Sequence, residues 1–169
     1  KGKRRTAAVI LPDYCARVAV LDFDSFPPER GEQESLVRFR LKRSIPFDVE
    51  SARVSFAVQP AAAKRVEVVA VAAALEIVAR YEAAFRSAGF EPGLVTTSML
   101  AALDLWTGEG VGVVAKMSGG VLTAAVTEGQ NLRLLRCVEL PEETPGEVMA
   151  VLYPTFAYVE DTFGKRAEK

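Results

Sequence analysis

A strand–helix–strand–helix signature between residues 65 and 105 constrains the fold of this chain more than any other feature. It opens with Arg65–Ala74, an almost unbroken apolar run rich in β-branched residues, which is typical of a strand buried on both faces. A helix follows, with apolar side chains four residues apart on one stripe: Ile77, Tyr81 and Phe85. Gly89 is expected to end this helix, because glycine adopts the left-handed C-terminal conformation at little cost. A short strand then leads to a second helix, capped by Thr97 or Ser98.

Three more strands are predicted before this signature. Thr6–Leu11 and Ala16–Phe23 are expected to form a hairpin through the turn at residues 12–14, a Pro-Asp-Tyr sequence. Ala52–Gln59 alternates apolar and polar residues as a half-buried strand does. We expect it to pair with the apolar run that opens the signature, across a loop that begins near Pro60.

A helix is predicted over Glu32–Ile45, ending before Pro46 because proline pushes the preceding residue out of helical geometry. Its apolar stripe consists of Val37, Leu41 and Ile45. We predict that this stripe and the Ile77, Tyr81 and Phe85 stripe pack on one face of a shared antiparallel sheet. The face of the Glu32–Ile45 helix opposite its apolar stripe carries four cations: Arg38, Arg40, Lys42 and Arg43. A nucleic-acid site and a solvated face are the alternatives, and the solvated face is favoured because Phe39 is expected to point into the core.

Beyond residue 108 the pattern changes to three successive strands with glycine-containing turns. They are predicted at Val111–Met117, Val121–Thr127 and Leu132–Val138. A helix is expected to start at Thr144-Pro145, since threonine caps helices and proline suits the first helical position. Pro154 is expected to kink or break this helix near residue 151.

The composition excludes some kinds of binding and catalysis. The 169 residues carry a net charge of −1 and half of them are apolar, which is ordinary for a globular protein without a polyanionic partner. There is no histidine, so Ser-His and Cys-His dyads are excluded. Cys15 and Cys137 match no metal spacing and suit a reducing cytoplasm, with a single disulfide as the alternative. No apolar run is long enough to span a bilayer, and we expect the chain to be a piece of a longer protein.

Several of these segments match, in residues and spacing, the motifs of one family. They are Ala8–Pro12, Ser44–Asp48, Val71–Ala73, Ala88–Pro92 and Ser98–Leu103. Together they resemble the pilus-assembly protein PilM and its relatives in the actin-like ATPase superfamily, over residues 7 to about 105. The second segment resembles the family's Ile-Pro-Phe motif, and the fourth its Ala-Gly-Leu-x-Pro motif.

The resemblance implies an α+β fold with two parts. Residues 6–92 would form an SHS2-like β-β-α-β-β-α inserted module, and residues 93–169 part of an actin-like (ribonuclease H-like) ATPase subdomain. It also implies a cytoplasmic scaffold of a type IV pilus or related secretion assembly, peripheral to the inner membrane and bound to the cytoplasmic tail of a PilN-type partner. Neither nucleic acid nor direct membrane insertion is expected, and homo-oligomerisation is left open. The alternatives are an active ATP-hydrolysing enzyme and an FtsA-like or GspL-like membrane-tethered protein.

The residues that would form the family's second phosphate loop depart from its pattern. The loop would lie at Lys116, Ser118, Gly119 and Gly120. Lys116 replaces the aspartate that organises magnesium, and Ser118 replaces the first glycine, so a plain hairpin turn is the favoured interpretation. The family's first phosphate loop has no counterpart here. We therefore expect no catalytic residues and no bound nucleotide in this chain. The complete protein is the form for which ATP binding is left open.

Phe47 is our candidate for partner binding. It follows the helix-ending Pro46 and lies outside both predicted apolar stripes. The resemblance implies that such a protein holds a peptide in a groove between the inserted module and the rest of the fold. A role for Phe47 in filling the core is the alternative.

Overall fold

The computed structural model of this chain describes residues 5–60 and 65–164. The chain forms two compact units, Lys1–Asp104 and Leu105–Lys169. The division implied between residues 92 and 93 falls inside a strand of the first unit, Phe90–Thr97, and the assignment of the two parts to an SHS2-like module and an ATPase subdomain stays a prediction. That strand pairs with the first strand of the chain, so it cannot belong to a separate unit. Within the described ranges, no helix combines the length and apolar character that crossing a membrane requires.

The first unit follows the predicted order of strands and helices. Its elements are β1 (Arg5–Leu11), β2 (Arg17–Phe23), α1 (Arg30–Leu41), β3 (Ala52–Val58), β4 (Val66–Ala74), α2 (Leu75–Ser87), β5 (Phe90–Thr97) and α3 (Ser98–Leu103). Strands β2, β4 and β3 form an antiparallel sheet in that order, and β1 pairs in parallel with β5. The predicted pairing of β3 with β4 is confirmed. Gly89 has a φ of 83° just beyond α2, and Thr97 caps α3, as predicted.

The predicted hairpin between β1 and β2 is wrong. A short 3-10 turn, Asp13–Cys15, separates the two strands, and each enters a different sheet. Strand β1 lies beside β5, with Arg5 opposite Phe90 and Leu11 opposite Thr97. The apolar run of β1 fits either arrangement, because such a run indicates a buried strand and not which strand lies alongside.

The two helical stripes are buried in two separate cores, so the predicted shared face is also wrong. In the first core, α1 covers one face of the β2–β4–β3 sheet, with Val37 and Leu41 completely buried. In the second core, α2 packs on β1 and β5, and its stripe surrounds the buried residues Val9, Leu11 and Val78. The apolar side chains of α1 are thus buried on one face of the β2–β4–β3 sheet. Those of α2 are buried against β1, β5 and Ala73, which lies on the other face of that sheet. Burial of apolar surface is the main source of folding free energy in both cores.

Helix α1 ends earlier than predicted and turns Phe39 outward. The carbonyl of Leu41 accepts hydrogen bonds from the amides of Ser44 and Ile45 at 2.8 and 3.1 Å, so the chain leaves the helix in a tight turn before Pro46. The Phe39 side chain is 65 % exposed. At 3.6 residues per turn, a residue two positions from Val37 and from Leu41 lies on the opposite side of the helix. The expectation that Phe39 points into the core is therefore wrong.

The second unit is an antiparallel sheet followed by a long helix. Its elements are β6 (Val111–Ser118), β7 (Val121–Glu128), β8 (Asn131–Glu139) and α4 (Pro145–Phe163), with β7 at the centre of the sheet. The hydroxyl oxygen of Thr144 accepts from the amide of Glu147 at 3.3 Å, which confirms the predicted cap. Helix α4 continues through Pro154, so the predicted break is wrong, and the alternative of a kink stays a prediction. The hydroxyl of Thr155 donates to the carbonyl of Val151 at 3.3 Å in this turn.

Within the second unit, the Trp106 ring packs directly against the backbone of two glycines, Gly108 and Gly112. A Cβ atom on Gly112 would lie 2.5 Å from Cζ2 of the indole, and one on Gly108 would lie 2.3 Å from the same atom. Both distances are too short for real contacts. The indole therefore occupies the space that side chains at these two positions would fill.

Candidate functional site

The first unit contains a cleft of about 490 Å³. This volume falls in the range of ligand-binding pockets in proteins. The floor of the cleft is the face of β3 and β4 that α1 does not cover, with Arg53, Ser55, Val71 and Ala73. Helix α2 contributes Val78 and Glu82 to one wall.

Strand β5 lines this cleft along one of its edges, whereas β3 and β4 line it with one face. Along β3 and β4 alternate residues line the cleft, as expected when one face of a sheet forms the floor. Along β5, by contrast, consecutive residues line it, from Pro92 to Thr97. Successive side chains of a strand point to opposite faces, so a run of consecutive residues marks the edge. In the described residues β5 pairs only with β1, and its other edge keeps backbone groups available for a ligand.

A bulge in β5 lies at the cleft. Ala7 is opposite Pro92 and Ala8 is opposite Leu94, so Gly93 has no counterpart on β1. A Cβ atom on Gly93 would lie 2.4 Å from the Cγ2 atom of Thr6, which explains the absence of a side chain here. Bulges bend a strand and are over-represented next to functional sites. The exposed Leu94 side chain follows directly on this bulge.

The cleft has apolar walls with few charged groups. Glu82 is engaged by Arg86, whose guanidinium lies 2.8 Å from the Glu82 carboxylate. Arg53 and Ser55 are exposed on the floor and supply a cation and a hydroxyl. This set of groups can hold an apolar ligand and orient it with polar contacts, and it contains no acid–base pair of the kind that catalysis uses.

A buried carboxylate fixes one end of the cleft. Asp13 is 6 % exposed, and its Oδ1 atom accepts a hydrogen bond of 2.7 Å from the amide of Met99 in the first turn of α3. The bond links the end of β1 to the end of β5, since Leu11 and Thr97 flank the two partners. Both Leu11 and Thr97 line the cleft. Asp13, predicted only as part of a hairpin turn, is therefore a positioning residue for the site.

Cys15 lies beside this region but is not a reactive thiol. Burial raises the pKa of Cys15 above its usual value, against a smaller lowering by its hydrogen bond to Tyr81. Burial likewise raises the pKa of Tyr81, with a further contribution from Cys15. The thiol is thus protonated near neutral pH, and nucleophilic or metal-binding chemistry needs the thiolate. Across residues 5–60 and 65–164, no cluster of three or more potential metal ligands occurs.

The candidate phosphate-loop residues lie together at the β6–β7 hairpin of the second unit. Ser118 is opposite Val121, and Gly119 and Gly120 form the turn between them with φ values of 59° and 73°. Lys116 is opposite Thr123 and lies on the same face of β6 as Ser118, because the two are two residues apart. The residues have the geometry of a tight hairpin, which glycines in left-handed conformations favour. Whether this turn receives a phosphate stays a prediction.

Phe47 does not line the cleft. Its side chain is half-buried and packs against the first core, among the residues beneath α1. This placement agrees with the core-filling alternative and leaves a role in partner binding untested. The sequence reasoning missed the cleft residues themselves. Two signals could have indicated them: the Pro92-Gly93 pair within a strand, and the apolar residues on both faces of β4.

Neither a protein-family model nor a curated protein matches this sequence. Solved structures do share its fold. One, described as the PilM–PilN type IV pilus biogenesis complex, is 21 % identical, with a TM-score of 0.67 over 96 % of this chain and 52 % of that chain. Another is the cytoplasmic domain of EpsL, an inner membrane component of the type II secretion system of Vibrio cholerae. It is 19 % identical, with a TM-score of 0.53 over 80 % of this chain and 51 % of that chain.

These likenesses confirm the predicted α+β, actin-like fold and the resemblance to PilM at the level of the fold. The chain spans about half the length of each of the two proteins. The likeness extends across both compact units, since nearly the whole of this chain matches the PilM–PilN structure.

Proposed function

We propose that this chain is part of a cytoplasmic scaffold for a type IV pilus or related secretion assembly. Its role would be to hold the cytoplasmic tail of a PilN-type inner-membrane protein. The shared fold with a PilM–PilN complex supports the assembly role, and the cleft of the first unit supports the peptide-holding role. The protein would then lie at the periphery of the inner membrane through its partner and not through a span of its own.

The observation that carries this proposal is the meeting of a free strand edge with a floor whose β4 half is apolar. An extended peptide can add a strand to an exposed edge, where main-chain hydrogen bonds provide affinity and pockets for alternate side chains provide specificity. The edge of β5 offers the main-chain groups, and Val71, Ala73 and Val78 offer the apolar surface. A disordered tail would become ordered on binding in this manner.

A cleft-filling variant tests the proposal. A synthetic peptide with the cytoplasmic tail sequence of a PilN protein is titrated against the chain by calorimetry. Ser55→Trp introduces an indole on the floor, from an exposed position, and is expected to weaken peptide binding at least tenfold. Ala57→Trp is the matched control, because Ala57 lies on the same face of β3 two residues away and does not line the cleft. Equal affinity of the two variants would rule out the cleft as the binding site.

Phe47→Ala separates the two candidate binding surfaces. Because Phe47 packs on the first core and lies outside the cleft, we expect a lower melting temperature with little change in peptide affinity. A loss of peptide affinity at an unchanged melting temperature would move the binding site to Phe47.

A GspL-like role in type II secretion is the second candidate. The likeness to the EpsL cytoplasmic domain favours it. The two candidates differ in how the complete protein reaches the membrane. A membrane-spanning segment encoded downstream in the same reading frame would support the GspL-like role, and separate small membrane proteins encoded next to it would support the PilM-like role.

A further inference from the structure

The outward face at the end of α1 carries positive charge without nearby acidic residues in the sequence. Arg40, Lys42 and Arg43 are all exposed. No aspartate or glutamate occurs between Glu34 and Asp48. The overall net charge of −1 therefore hides a local concentration of cations. A charged face of this kind is usually only solvated, and a further observation is needed before it indicates binding.

Phe39 supplies that observation. Its ring is 65 % exposed on the side of α1 opposite the buried Leu41. Lys42 follows three residues later, a spacing at which residues are neighbours on a helical surface, and Arg43 lies in the turn that follows the helix. Lys42 keeps right-handed helical dihedral angles, so this spacing holds just beyond the end of α1. An aromatic ring is thus presented to the outside beside Lys42, and Arg43 follows Lys42 in the chain.

Lys42 and Arg43 have no competing partner within the described residues, and Arg40 has only an aromatic one. Arg38 is the exception on this helix: it forms an ion pair with Glu34 at 3.0 Å and donates to the carbonyl of Val49 at 2.7 Å. Arg40 lies over the ring of Phe23, at 5.3 Å from its centre, and forms no ion pair in the described part of the chain. Lys42 and Arg43 likewise have no ion-pair partner between residues 5–60 and 65–164. Their charge is available to an external anion.

We infer that the surface formed by Phe39, Arg40, Lys42 and Arg43 docks onto an anionic phospholipid bilayer. The three cations would lie at the level of the headgroup phosphates, and the Phe39 ring would enter the boundary between headgroups and acyl chains. Interfacial segments combine Lys and Arg with apolar side chains such as Phe that enter this boundary, and on α1 Phe39 is placed to do so because the apolar stripe of the helix is buried in the first core. Anionic leaflets attract each such cation additively.

Shape and charge favour a bilayer over the other anionic partners. A single ring at the top of a convex helix encloses nothing, whereas a fluid bilayer adapts around it. Nucleic-acid surfaces generally present several aromatic rings for base stacking and a larger number of phosphate contacts, and this surface has one ring and three cations. The contact would add to an anchor provided by a membrane-bound partner through effective concentration.

Vesicle flotation with this chain tests the inference. The probes are phosphatidylcholine vesicles with and without phosphatidylglycerol. We expect binding only to the vesicles with phosphatidylglycerol, and release at high salt because salt screens exposed charges. Lys42→Gln with Arg43→Gln is expected to reduce partitioning about 25-fold, roughly fivefold for each cation removed. Phe39→Ala is expected to reduce it about tenfold, and Phe39→Trp to restore it.

A double variant on other surfaces provides the control. Arg65→Gln with Arg80→Gln makes the same change in net charge at side chains that are 66 % and 79 % exposed. It is expected to leave vesicle binding unchanged. Equal losses in both double variants, equal binding to neutral vesicles, or no flotation of the wild-type chain would each overturn the inference. Binding of a single-stranded oligonucleotide through Lys42 and Arg43, without vesicle binding, would assign the surface to nucleic acid instead.

Discussion

Replacing Asp13 with alanine should destabilise the first unit much more than replacing an exposed aspartate. The Asp13 carboxylate is 6 % exposed and accepts the amide of Met99, a residue that is itself completely buried. Without the carboxylate, water cannot easily reach this amide. A hydrogen bond to a charged group contributes about 1.5–3 kcal/mol, and a carboxylate at a helix N-terminus adds about 0.3–1 kcal/mol. The expected loss is therefore about 2–4 kcal/mol, a large share of the 5–15 kcal/mol that is typical for whole domains.

The Asp13→Asn variant separates the hydrogen bond from the charge. Its amide oxygen can still accept from Met99, so we expect a loss of about 1 kcal/mol, from the helix dipole and the weaker acceptor. Asp24→Ala is the control: Asp24 pairs with Arg65 at 3.1 Å, but the two side chains are 87 % and 66 % exposed. Exposed ion pairs contribute about 0–1 kcal/mol.

Urea unfolding followed by circular dichroism gives the stabilities, and amide hydrogen exchange gives the local effect. We expect the Met99 amide to lose protection in Asp13→Ala and to keep most of it in Asp13→Asn. If Asp13→Ala cost no more than Asp24→Ala, the bond would not hold the two strand ends together. If Asn cost as much as Ala, charge and not hydrogen bonding would carry the contribution.

Three further predictions concern the second unit, the phosphate loop and pH. Gly112→Ala should lower stability by about 1–3 kcal/mol in thermal unfolding, because its Cβ would meet the Trp106 ring, whereas Gly110→Ala, with open space around it, should not. Calorimetry should detect little or no Mg-ATP binding, and micromolar affinity that disappears in Lys116→Ala would contradict this. The pKa of Cys15 is higher in the folded chain than in the unfolded chain. The resulting contribution to the free energy of unfolding is fully present below the unfolded pKa, and it is lost as the pH rises through the folded pKa. The stability difference between wild type and Cys15→Ala should therefore shrink above about pH 8.5, and a difference independent of pH would refute the burial argument.

The sequence alone predicts those helices and turns that depend on residues close together in the chain. The helix α2 shows its stripe within a few turns, Gly89 marks its end, and Thr97 caps the next helix. The β6–β7 hairpin likewise depends on neighbouring residues and the two glycines between them. Each of these features is determined by residues within one or two turns of the chain, so a period and a cap are enough to predict it.

Strand pairing over long separations could not be predicted in the same way. Strand β1 pairs with β5, which begins only at Phe90, and nothing in the apolar run of β1 distinguishes that partner from the adjacent β2. Proximity in sequence favoured the hairpin, as it usually does. The hydrogen bond between the Asp13 carboxylate and the Met99 amide could not be predicted for the same reason, since it joins residues far apart in the sequence. In the sequence, an aspartate that caps a distant helix cannot be distinguished from an aspartate in a turn.

The pairing error and the missed cleft have one physical cause. The predicted hairpin of β1 with β2 assigned no partner to β5 and therefore no position to its free edge. Because β1 instead pairs with β5, the second face of β3 and β4 looks towards the free edge of β5. The face itself is divided: Val71 and Ala73 on β4 are apolar, whereas Arg53 and Ser55 on β3 are polar. A peptide strand added to β5 would lie against both, so we expect its occupant to combine an apolar row of side chains towards β4 with polar groups towards β3.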